Sequence, residues 1–327
     1  MHEFDLIRQI DSFAADHEDV KVGIGDDAAV TSSHAHKDVI SCVDTICEGI
    51  HFKRSTLHLS DIGYKALAVN LSDIAAMGGT PRYYLVSLAM SPEWKQEEIL
   101  EIYRGMNDLA ERYGVLLIGG DTVSAQHDLM ISVTVLGEIE KSRSLLRSSA
   151  REGDVVFASG TLGDSRGGLD LLLSGGLTAP RTEQEHALVG VHQRPEPQLT
   201  LGQLLKESGC RIALNDISDG LSSESWELAE ASRVCICLEE EKIPVSENAT
   251  KLFGNETAYE YALTGGEDFQ LVGTVAKSDW PAIASAAKEK GIRLSAIGSV
   301  TQEGAPQVLM QKNGERTAIK RAGYRHQ

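Results

Sequence analysis

Aspartates beside small residues recur along this 327-residue chain, and their number points to metal-dependent chemistry. Two of them are adjacent in the glycine-framed turn 23–30 (GIGDDAAV), and the others follow or interrupt apolar stretches. The set comprises Asp26, Asp27, Asp44, Asp73, Asp121, Asp216 and Asp219. Ionised carboxylates that lie close together need a counter-charge, and carboxylates without matching His or Cys ligands favour Mg²⁺ or Ca²⁺ over zinc. For any single aspartate the alternative is an ordinary Asp-Gly surface turn.

The same acids suit the binding of a phosphorylated substrate. Mg²⁺ takes only a few carboxylates and completes its shell with water and substrate phosphates, so several ions bridged by a nucleoside triphosphate would use this set. The chain contains neither a GxxxxGK[ST] loop nor a protein-kinase catalytic loop or DFG motif. Phosphates would therefore be neutralised by metal, by Arg147 and by backbone N–H groups of glycine-rich turns such as 160–168. The alternative to an enzyme is a Ca²⁺-stabilised binding module, although no EF-hand spacing is present.

Predicted strands and helices place several acids where a ligand could reach them. Asp44 follows the apolar run 38–43 and Asp121 follows the run 115–118, and strand ends of this kind carry ligand groups in open α/β sheets. A helix that is capped by Ser60 and stops at the glycines after Met77 puts Asn70 and Asp73 on one face.

The second half of the chain repeats this theme of strands, helices and acidic glycine turns. Asp216 and Asp219 follow the apolar run 212–214 and precede a predicted helix over 221–231, whereas 174–197 is predicted to be a loop. The length favours two domains of about 150 residues each. We place them at 1–150 and 151–327, in an α/β (α+β) fold class.

Composition restricts the partners and the compartment. The formal net charge of −17 argues against nucleic acid or an anionic membrane as a partner, because both are held mainly by Lys and Arg. No apolar run approaches the about 20 residues that span a bilayer, and the first residues lack a signal-peptide layout. The five cysteines form no CxxC pair. We therefore expect a cytoplasmic protein with reduced cysteines.

A series of motifs resembles those of the thiamine-monophosphate kinase family. In chain order they are GIGDDAAV, VDT with His51 downstream, NLSDIAAMGG, LIGGDT, LLRS, ISDGLSS, TGGEDF and a terminal GY. The resemblance implies the two-domain fold of aminoimidazole ribonucleotide synthetase and a homodimer built through the N-terminal domain. It also implies that this domain binds metal and ATP and that the C-terminal domain completes the active-site cleft. The implied reaction transfers the γ-phosphoryl group of ATP to thiamine monophosphate and yields thiamine diphosphate.

The resemblance also implies roles for individual residues, carried over motif by motif. The implied Mg²⁺ ligands are Asp27, Asp44, Asp73, Asp121, Asp216 and Asp219, with Cys42 and Val43 as further candidates. Those two stand where many relatives carry Ser-Thr, and a main-chain carbonyl ligand would survive that change but a hydroxyl ligand would not. The implied nucleotide contacts are Gly120, Asp121, Arg147 and Ser218. The implied substrate contacts are His51, Glu267 and Tyr324.

Elementary chemistry agrees with the implied reaction. A phosphate monoester has a second pKa of about 6, so the acceptor is mostly ionised at neutral pH and needs no Ser, Cys or His nucleophile. Tyr324 could stack on the cationic thiamine, and Glu267 could accept a hydrogen bond from an amino group. The alternatives are a packed C-terminal aromatic for Tyr324, a locally bonded histidine for His51 and a solvated charge for Arg147. A related synthetase that uses ATP on another acceptor, such as a ribonucleotide or selenophosphate synthetase, is the alternative enzyme.

Overall fold

The computed structural model of the chain describes residues 9–14, 17–22, 30–31, 34–303 and 305–324. It divides into two compact units. The first consists of Met1–Ile74 with Gly79–Ser142, and the second consists of Ala75–Gly78 with Arg143–Gln327. Asp26 and Asp27 lie outside the described residues.

The first unit is built on a four-stranded sheet. Its elements in chain order are β1 (Val20–Val22), β2 (Val30–Thr31), β3 (Lys37–Cys47), α1 (Leu59–Ala76), β4 (Thr80–Met90), α2 (Gln96–Tyr113), β5 (Leu116–Ser124) and β6 (Met130–Glu140). The short strands β1 and β2 pair with each other, and the larger sheet has the order β3-β6-β4-β5. Only its β4–β5 pair is parallel. Helix α1 includes Ser60 in its first turn, so this residue does not cap the helix as predicted.

One face of this sheet is covered and the other carries exposed apolar side chains. Ile131, Val133 and Val135 of β6 are fully buried, as the alternation of a strand with one covered face requires. The residues that alternate with them belong to the opposite face, where Val39 is 70% exposed and Val43 is 62% exposed. The register of the strands puts both valines on the same face of the sheet.

Helices α1 and α2 approach each other unusually closely. A Cβ atom on Gly63 would lie 1.7 Å from the carbonyl oxygen of Ile102, and one on Gly105 would lie 1.7 Å from that of Ser60. Each helix therefore presents a glycine to the backbone of the other. Helix α1 is buried along nearly its whole length, so its position is fixed by packing as well as by hydrogen bonds.

The second unit is built on a seven-stranded sheet. Its elements are β7 (Val155–Ser159), α3 (Asp164–Gly175), α4 (Glu183–Gln193), α5 (Leu199–Glu207), β8 (Ile212–Ile217), α6 (Leu221–Ser232), β9 (Val234–Glu239), α7 (Glu247–Thr264), β10 (Gln270–Val275), α8 (Trp280–Glu289), β11 (Leu294–Glu303), β12 (Gln307–Lys312) and β13 (Glu315–Ala318). The sheet has the order β13-β12-β9-β11-β7-β10-β8, and only β12 and β9 are parallel.

The stretch 174–197, predicted to be a loop, contains the helix α4. Thr182 and Glu185 form a capping box at its N-terminus, and Leu188, Val189 and His192 are buried on its inner face. The prediction failed because the polar composition hides a short apolar stripe. None of the helices in the described part of the chain is long and apolar enough to cross a membrane.

Candidate functional site

The first unit brings Asp44 and Asp73 together. Asp44 lies on β3 and Asp73 on α1, and their side chains are hydrogen-bonded to each other. Burial raises the pKa of Asp44, whereas the hydrogen bond with Asp73 and the nearby His51 lower it. Two carboxyl groups in contact must share a proton or a cation, because both cannot stay ionised at this distance without one.

Asn70 joins the strand and the helix at this point. Its Oδ1 accepts the Asp44 N–H at 3.0 Å, and its Nδ2 donates to the carbonyl oxygen of Ala66 at 3.0 Å. Asn70 is fully buried. It lies one helical turn from Asp73, as the predicted shared face requires, and it holds Asp44 opposite Asp73.

Cys42 lies beside the same pair but keeps its proton. Its Sγ donates to the carbonyl oxygen of Asn70 at 3.4 Å. Burial raises the pKa of the Cys42 thiol far above its usual range, and the charges of Asp73 and Asp44 raise it further. A thiolate ligand is therefore disfavoured at this position, and a main-chain contact by Cys42 or Val43 stays a prediction.

His51 belongs to a loop that Glu48 holds in place. The Cys47 N–H donates to His51 Nδ1 at 3.0 Å. Glu48 Oε2 accepts from Trp94 Nε1 at 3.0 Å and from the Leu129 N–H at 3.1 Å. The His51 side chain thus has a defined ring orientation next to Asp44, whose pKa it lowers.

Gly120 and Asp121 occupy consecutive positions of β5. A Cβ atom on Gly120 would lie 2.0 Å from the carbonyl oxygen of Val86, so the close strand pairing requires glycine there. Asp121 is exposed, and its Oδ1 accepts the Thr122 N–H at 2.9 Å. In the described ranges no three His, Cys, Asp or Glu side chains are arranged to hold a metal ion.

The second unit gathers four predicted site residues around the turn after β8. The Glu267 N–H donates to the carbonyl oxygen of Ser218 at 2.6 Å, and the Tyr324 N–H donates to that of Asp219 at 3.2 Å. Tyr324 itself is 47% exposed. Gly323 packs against the turn so closely that a Cβ atom there would lie 2.3 Å from the Asp219 carbonyl oxygen.

Arg147 reaches the same turn through Asn215 and Glu224. Its Nε donates to Asn215 Oδ1 at 2.8 Å, and its Nη1 lies 2.8 Å from Glu227 Oε2. Asn215 Nδ2 donates to Glu224 Oε2 at 2.6 Å, and Glu224 Oε1 accepts the Asp219 N–H at 3.1 Å. Burial, followed by Glu227 and Asp216, raises the pKa of Glu224 to about 8, and the Asp219 N–H opposes this rise. Asp216 is buried on β8.

The glycine-rich turn before α3 uses two of its backbone N–H groups for hydrogen bonds within the protein. Asp268 Oδ2 accepts the Gly163 N–H at 2.6 Å, and its Oδ1 accepts the Ser165 N–H at 3.1 Å. These two N–H groups are therefore not free for phosphate, which corrects that part of the sequence prediction. Burial raises the pKa of Asp268 to about 8 despite both hydrogen bonds.

Comparison with known proteins decides the family. The AIR synthase related proteins match the chain twice, with their N-terminal domain over residues 25–139 and their C-terminal domain over residues 151–311. A thiamine-monophosphate kinase of Bacillus subtilis (strain 168) is 44% identical over 327 residues, which cover 100% of this chain and 99% of the relative. The chain belongs to the thiamine-monophosphate kinase family.

Solved thiamine-monophosphate kinases share the whole fold. The enzyme from Stenotrophomonas maltophilia K279a is 34% identical, has a TM-score of 0.86 and covers 96% of this chain and 98% of its own. AaThiL, solved as a complex with AMPPCP and TMP, is 34% identical with a TM-score of 0.79 and covers 99% of this chain and 96% of its own. The predicted α/β (α+β) fold and the predicted family are confirmed.

Several residues that build the site were absent from the sequence prediction. Asn215, Glu224 and Asp268 were not proposed, and Asn70 was noted only for the helix face that it shares with Asp73. Asp268 belongs to the motif TGGEDF, and Glu224 directly follows the motif ISDGLSS. Asp268 is adjacent to Glu267 in sequence and Glu224 lies five positions after Asp219, and this proximity was the available signal.

Proposed function

We propose that the protein phosphorylates thiamine monophosphate with ATP and produces thiamine diphosphate and ADP. The full-length relation to thiamine-monophosphate kinases carries this conclusion. In the reaction the bond between the γ-phosphorus and the bridging oxygen of ATP breaks, and a bond forms to a phosphate oxygen of thiamine monophosphate. The acceptor oxygen is already ionised at neutral pH, so no side chain has to act as a covalent nucleophile.

We propose that several Mg²⁺ ions bind and that their ligands are Asp27, Asp44, Asp73, Asp121, Asp216 and Asp219. The hydrogen-bonded pair Asp44 and Asp73 fits this ion, because Mg²⁺ binds through one or two carboxylates together with substrate phosphates. Bound Mg²⁺ would supply charge neutralisation and alignment of the two phosphate groups for in-line transfer. Main-chain contacts from Cys42 and Val43 are part of the same proposal.

The nucleotide would be held by Gly120, Asp121, Arg147 and Ser218. The guanidinium of Arg147 is linked to the Ser218–Asp219 turn by hydrogen bonds through Asn215 and Glu224. Gly120 is exposed, so its backbone is accessible to a ligand. In this proposal the N-terminal domain, residues 1–150, binds metal and ATP and mediates dimerisation. Residues 151–327 complete the active-site cleft and add Asp216, Ser218 and Asp219.

Thiamine monophosphate would be held by His51, Glu267 and Tyr324. Glu267 and Tyr324 are tied to the same turn by their backbone N–H groups, so their side chains start from neighbouring positions. The half-exposed ring of Tyr324 could stack on the cationic thiamine. Glu267 could accept a hydrogen bond from an amino group.

We also propose a homodimer and a cytoplasmic location. The exposed apolar face of the four-stranded sheet supports the dimer, since such faces mark sites of protein association. The location rests on the sequence alone, because none of its five cysteines forms a CxxC pair and reduced cysteines suit the cytoplasm.

A product assay tests the reaction. Purified protein is incubated with ATP, Mg²⁺ and thiamine monophosphate, and thiamine diphosphate and ADP are quantified by chromatography. Parallel reactions contain unphosphorylated thiamine or omit Mg²⁺. We expect equal amounts of both products only in the complete reaction. ADP formation without thiamine diphosphate, or phosphorylation of thiamine at a comparable rate, would refute the assignment.

A further inference from the structure

Glu224 is a buried carboxyl at the centre of the second unit's polar cluster. It lies in the first turn of α6 and is 3% exposed. Its Oε1 accepts the Asp219 N–H at 3.1 Å and lies 3.5 Å from Ser218 Oγ, and its Oε2 accepts Asn215 Nδ2 at 2.6 Å. One side chain therefore ties strand β8 to the turn that follows it.

Glu224 also decides which end of the Asn215 amide faces Arg147. An amide has one donor end and one acceptor end. Nδ2 of Asn215 points to Glu224 and, at 3.3 Å, to Glu227 Oε2, so Oδ1 is left to accept from Arg147 Nε at 2.8 Å. If the amide turned over, its Nδ2 would meet the Arg147 donor instead. The orientation of the arginine therefore depends on Glu224, which it does not touch, as well as on its own ion pair with Glu227.

We propose that Glu224 is a positioning residue that aims Arg147 and the Ser218–Asp219 turn at the nucleotide and its metal. This inference rests on the function proposed above, in which Arg147 and Ser218 contact ATP and Asp219 binds Mg²⁺. Glu224 acts through Asn215 and the turn backbone and needs no contact with the substrates. Glu224 bonds to Asn215 and to the Ser218–Asp219 turn, and Asn215 in turn bonds to Arg147. A carboxyl that only stabilised the start of the helix would not need these partners.

The variant Glu224→Gln tests the role with almost no change in side-chain volume. Glutamine has one acceptor end, yet the Asp219 N–H and Asn215 Nδ2 approach from two sides, so one donor must face the glutamine NH₂ group. We expect the dissociation constant of Mg·ATP, measured by calorimetry, to rise about tenfold or more, because a buried donor that loses its acceptor costs about 1 to 3 kcal/mol. The KM for ATP should rise with it, and the KM for thiamine monophosphate should change much less.

A double variant that exchanges the two side-chain types provides the rescue. In Asn215→Asp with Glu224→Gln, the new carboxylate accepts from Arg147 and from the glutamine NH₂ group, and the glutamine oxygen accepts the Asp219 N–H. The net charge is unchanged, and the three hydrogen bonds that link Arg147, residue 215, residue 224 and the Asp219 N–H each have a donor and an acceptor again. The long 3.3 Å bond to Glu227 Oε2 is lost. We expect most of the lost Mg·ATP affinity to return, a result that a purely structural role for Glu224 does not predict.

Glu230→Gln is the matched control, because Glu230 lies on the same helix, is half-exposed and pairs with Arg321 at 3.3 Å. It should bind Mg·ATP like the unmodified protein. Unchanged affinity in Glu224→Gln, or a double variant that folds and binds no better than the single one, would overturn the inference. If the unmodified protein binds Mg·ATP but forms no thiamine diphosphate, the proposed function fails while the calorimetric comparison still judges Glu224. If it binds no Mg·ATP, both proposals fail.

Discussion

The aspartates of the candidate site differ in how tightly the fold constrains them. Asp44 is held by Asn70 through its backbone and by Asp73 through its side chain. Asp121 is exposed and bonds only locally, to the Thr122 N–H, among the hydrogen bonds seen in the described residues. The side chains of Asp44 and Asp73 contact each other, so they would repel each other if both were ionised. This repulsion favours a bound cation at the pair.

We therefore expect Asp44→Asn to lower kcat by about a hundredfold or more while the fold stays intact, because one charge at the metal site is lost with little change in volume. Steady-state kinetics over a range of Mg²⁺ concentrations and circular dichroism provide the measurement. Asp38→Asn is the control, since Asp38 lies on the same strand, is exposed and accepts the Ser142 N–H at 3.2 Å. Near-normal turnover of Asp44→Asn at limiting Mg²⁺ would contradict the proposed role.

Tyr324 should act through its ring. Tyr324→Ala is expected to raise the KM for thiamine monophosphate between about twofold and thirtyfold, which corresponds to the loss of a cation–π contact of about 0.5 to 2 kcal/mol. The KM for ATP should stay the same. Tyr324→Phe keeps the ring and should behave like the unmodified protein. An unchanged KM in the alanine variant would remove Tyr324 from the substrate site.

Asp268 makes the stability of the second unit depend on pH. Its pKa in the folded protein is raised to about 8 by burial, whereas an aspartate in the unfolded chain has a pKa of about 3.9. Between these values the folded state binds the extra proton, so the contribution of Asp268 to the free energy of unfolding falls as the pH rises. Urea unfolding should show that the free energy of unfolding of the unmodified protein, minus that of Asp268→Asn, falls from pH 5 to pH 8. A constant difference would contradict the raised pKa.

At the residue scale the sequence supplied candidate site residues but not their partners in the structure. The motifs named Asp44 and Asp73, which are in contact in the first unit. They also named Ser218, Asp219, Glu267 and Tyr324, which lie together in the second unit. The partner of Asp44 is 26 positions away in Asn70, and Asp268 meets Gly163 across 105 positions. Such pairings depend on tertiary packing, which short motifs and helical periodicity do not contain.

At the scale of secondary structure, the apolar stripe of α2 could be predicted but not its crossing with α1. The stripe includes Ile99, Ile102 and Met106, which are all buried as the helical spacing predicts. The close approach depends on Gly63 and Gly105, two glycines in helix interiors. Propensity alone counts such residues as unfavourable, so only the packed structure explains them.

Gly105→Ala should therefore destabilise the protein although alanine is the better helix former. Its Cβ atom would clash with the Ser60 carbonyl oxygen, and forcing the helices apart should cost about 1 to 3 kcal/mol. The thermal midpoint, followed by calorimetry, should fall. Gly190→Ala in α4 is the control, because a Cβ atom there meets nothing within 4 Å and alanine should add about 0.5 to 1 kcal/mol. A midpoint that does not fall in Gly105→Ala would show that the two helices can separate without cost.

At the scale of the whole molecule the sequence predicted two domains, and the structure shows two compact units with separate sheets. The order and direction of most strands could not be predicted, since the pairings other than the β12–β13 hairpin and the short β1–β2 pair join residues that are distant in the chain. The apolar pattern also did not show that the described residues leave one face of the four-stranded sheet exposed. The register assigns Val39, Val43, Met130 and Val123 to this face.

If this face joins two copies of the chain, Val39→Lys should convert the dimer to a monomer. Val39 is 70% exposed in the single chain, and a lysine there would bring a charge into the dimer interface without a partner. The substitution also makes the net charge less negative, so stronger overall repulsion cannot explain dissociation. Sedimentation velocity measures the change, and Leu173→Lys, at an exposed leucine of α3, should leave the dimer intact. A monomeric unmodified protein, or a dimeric Val39→Lys variant, would exclude this face as the interface.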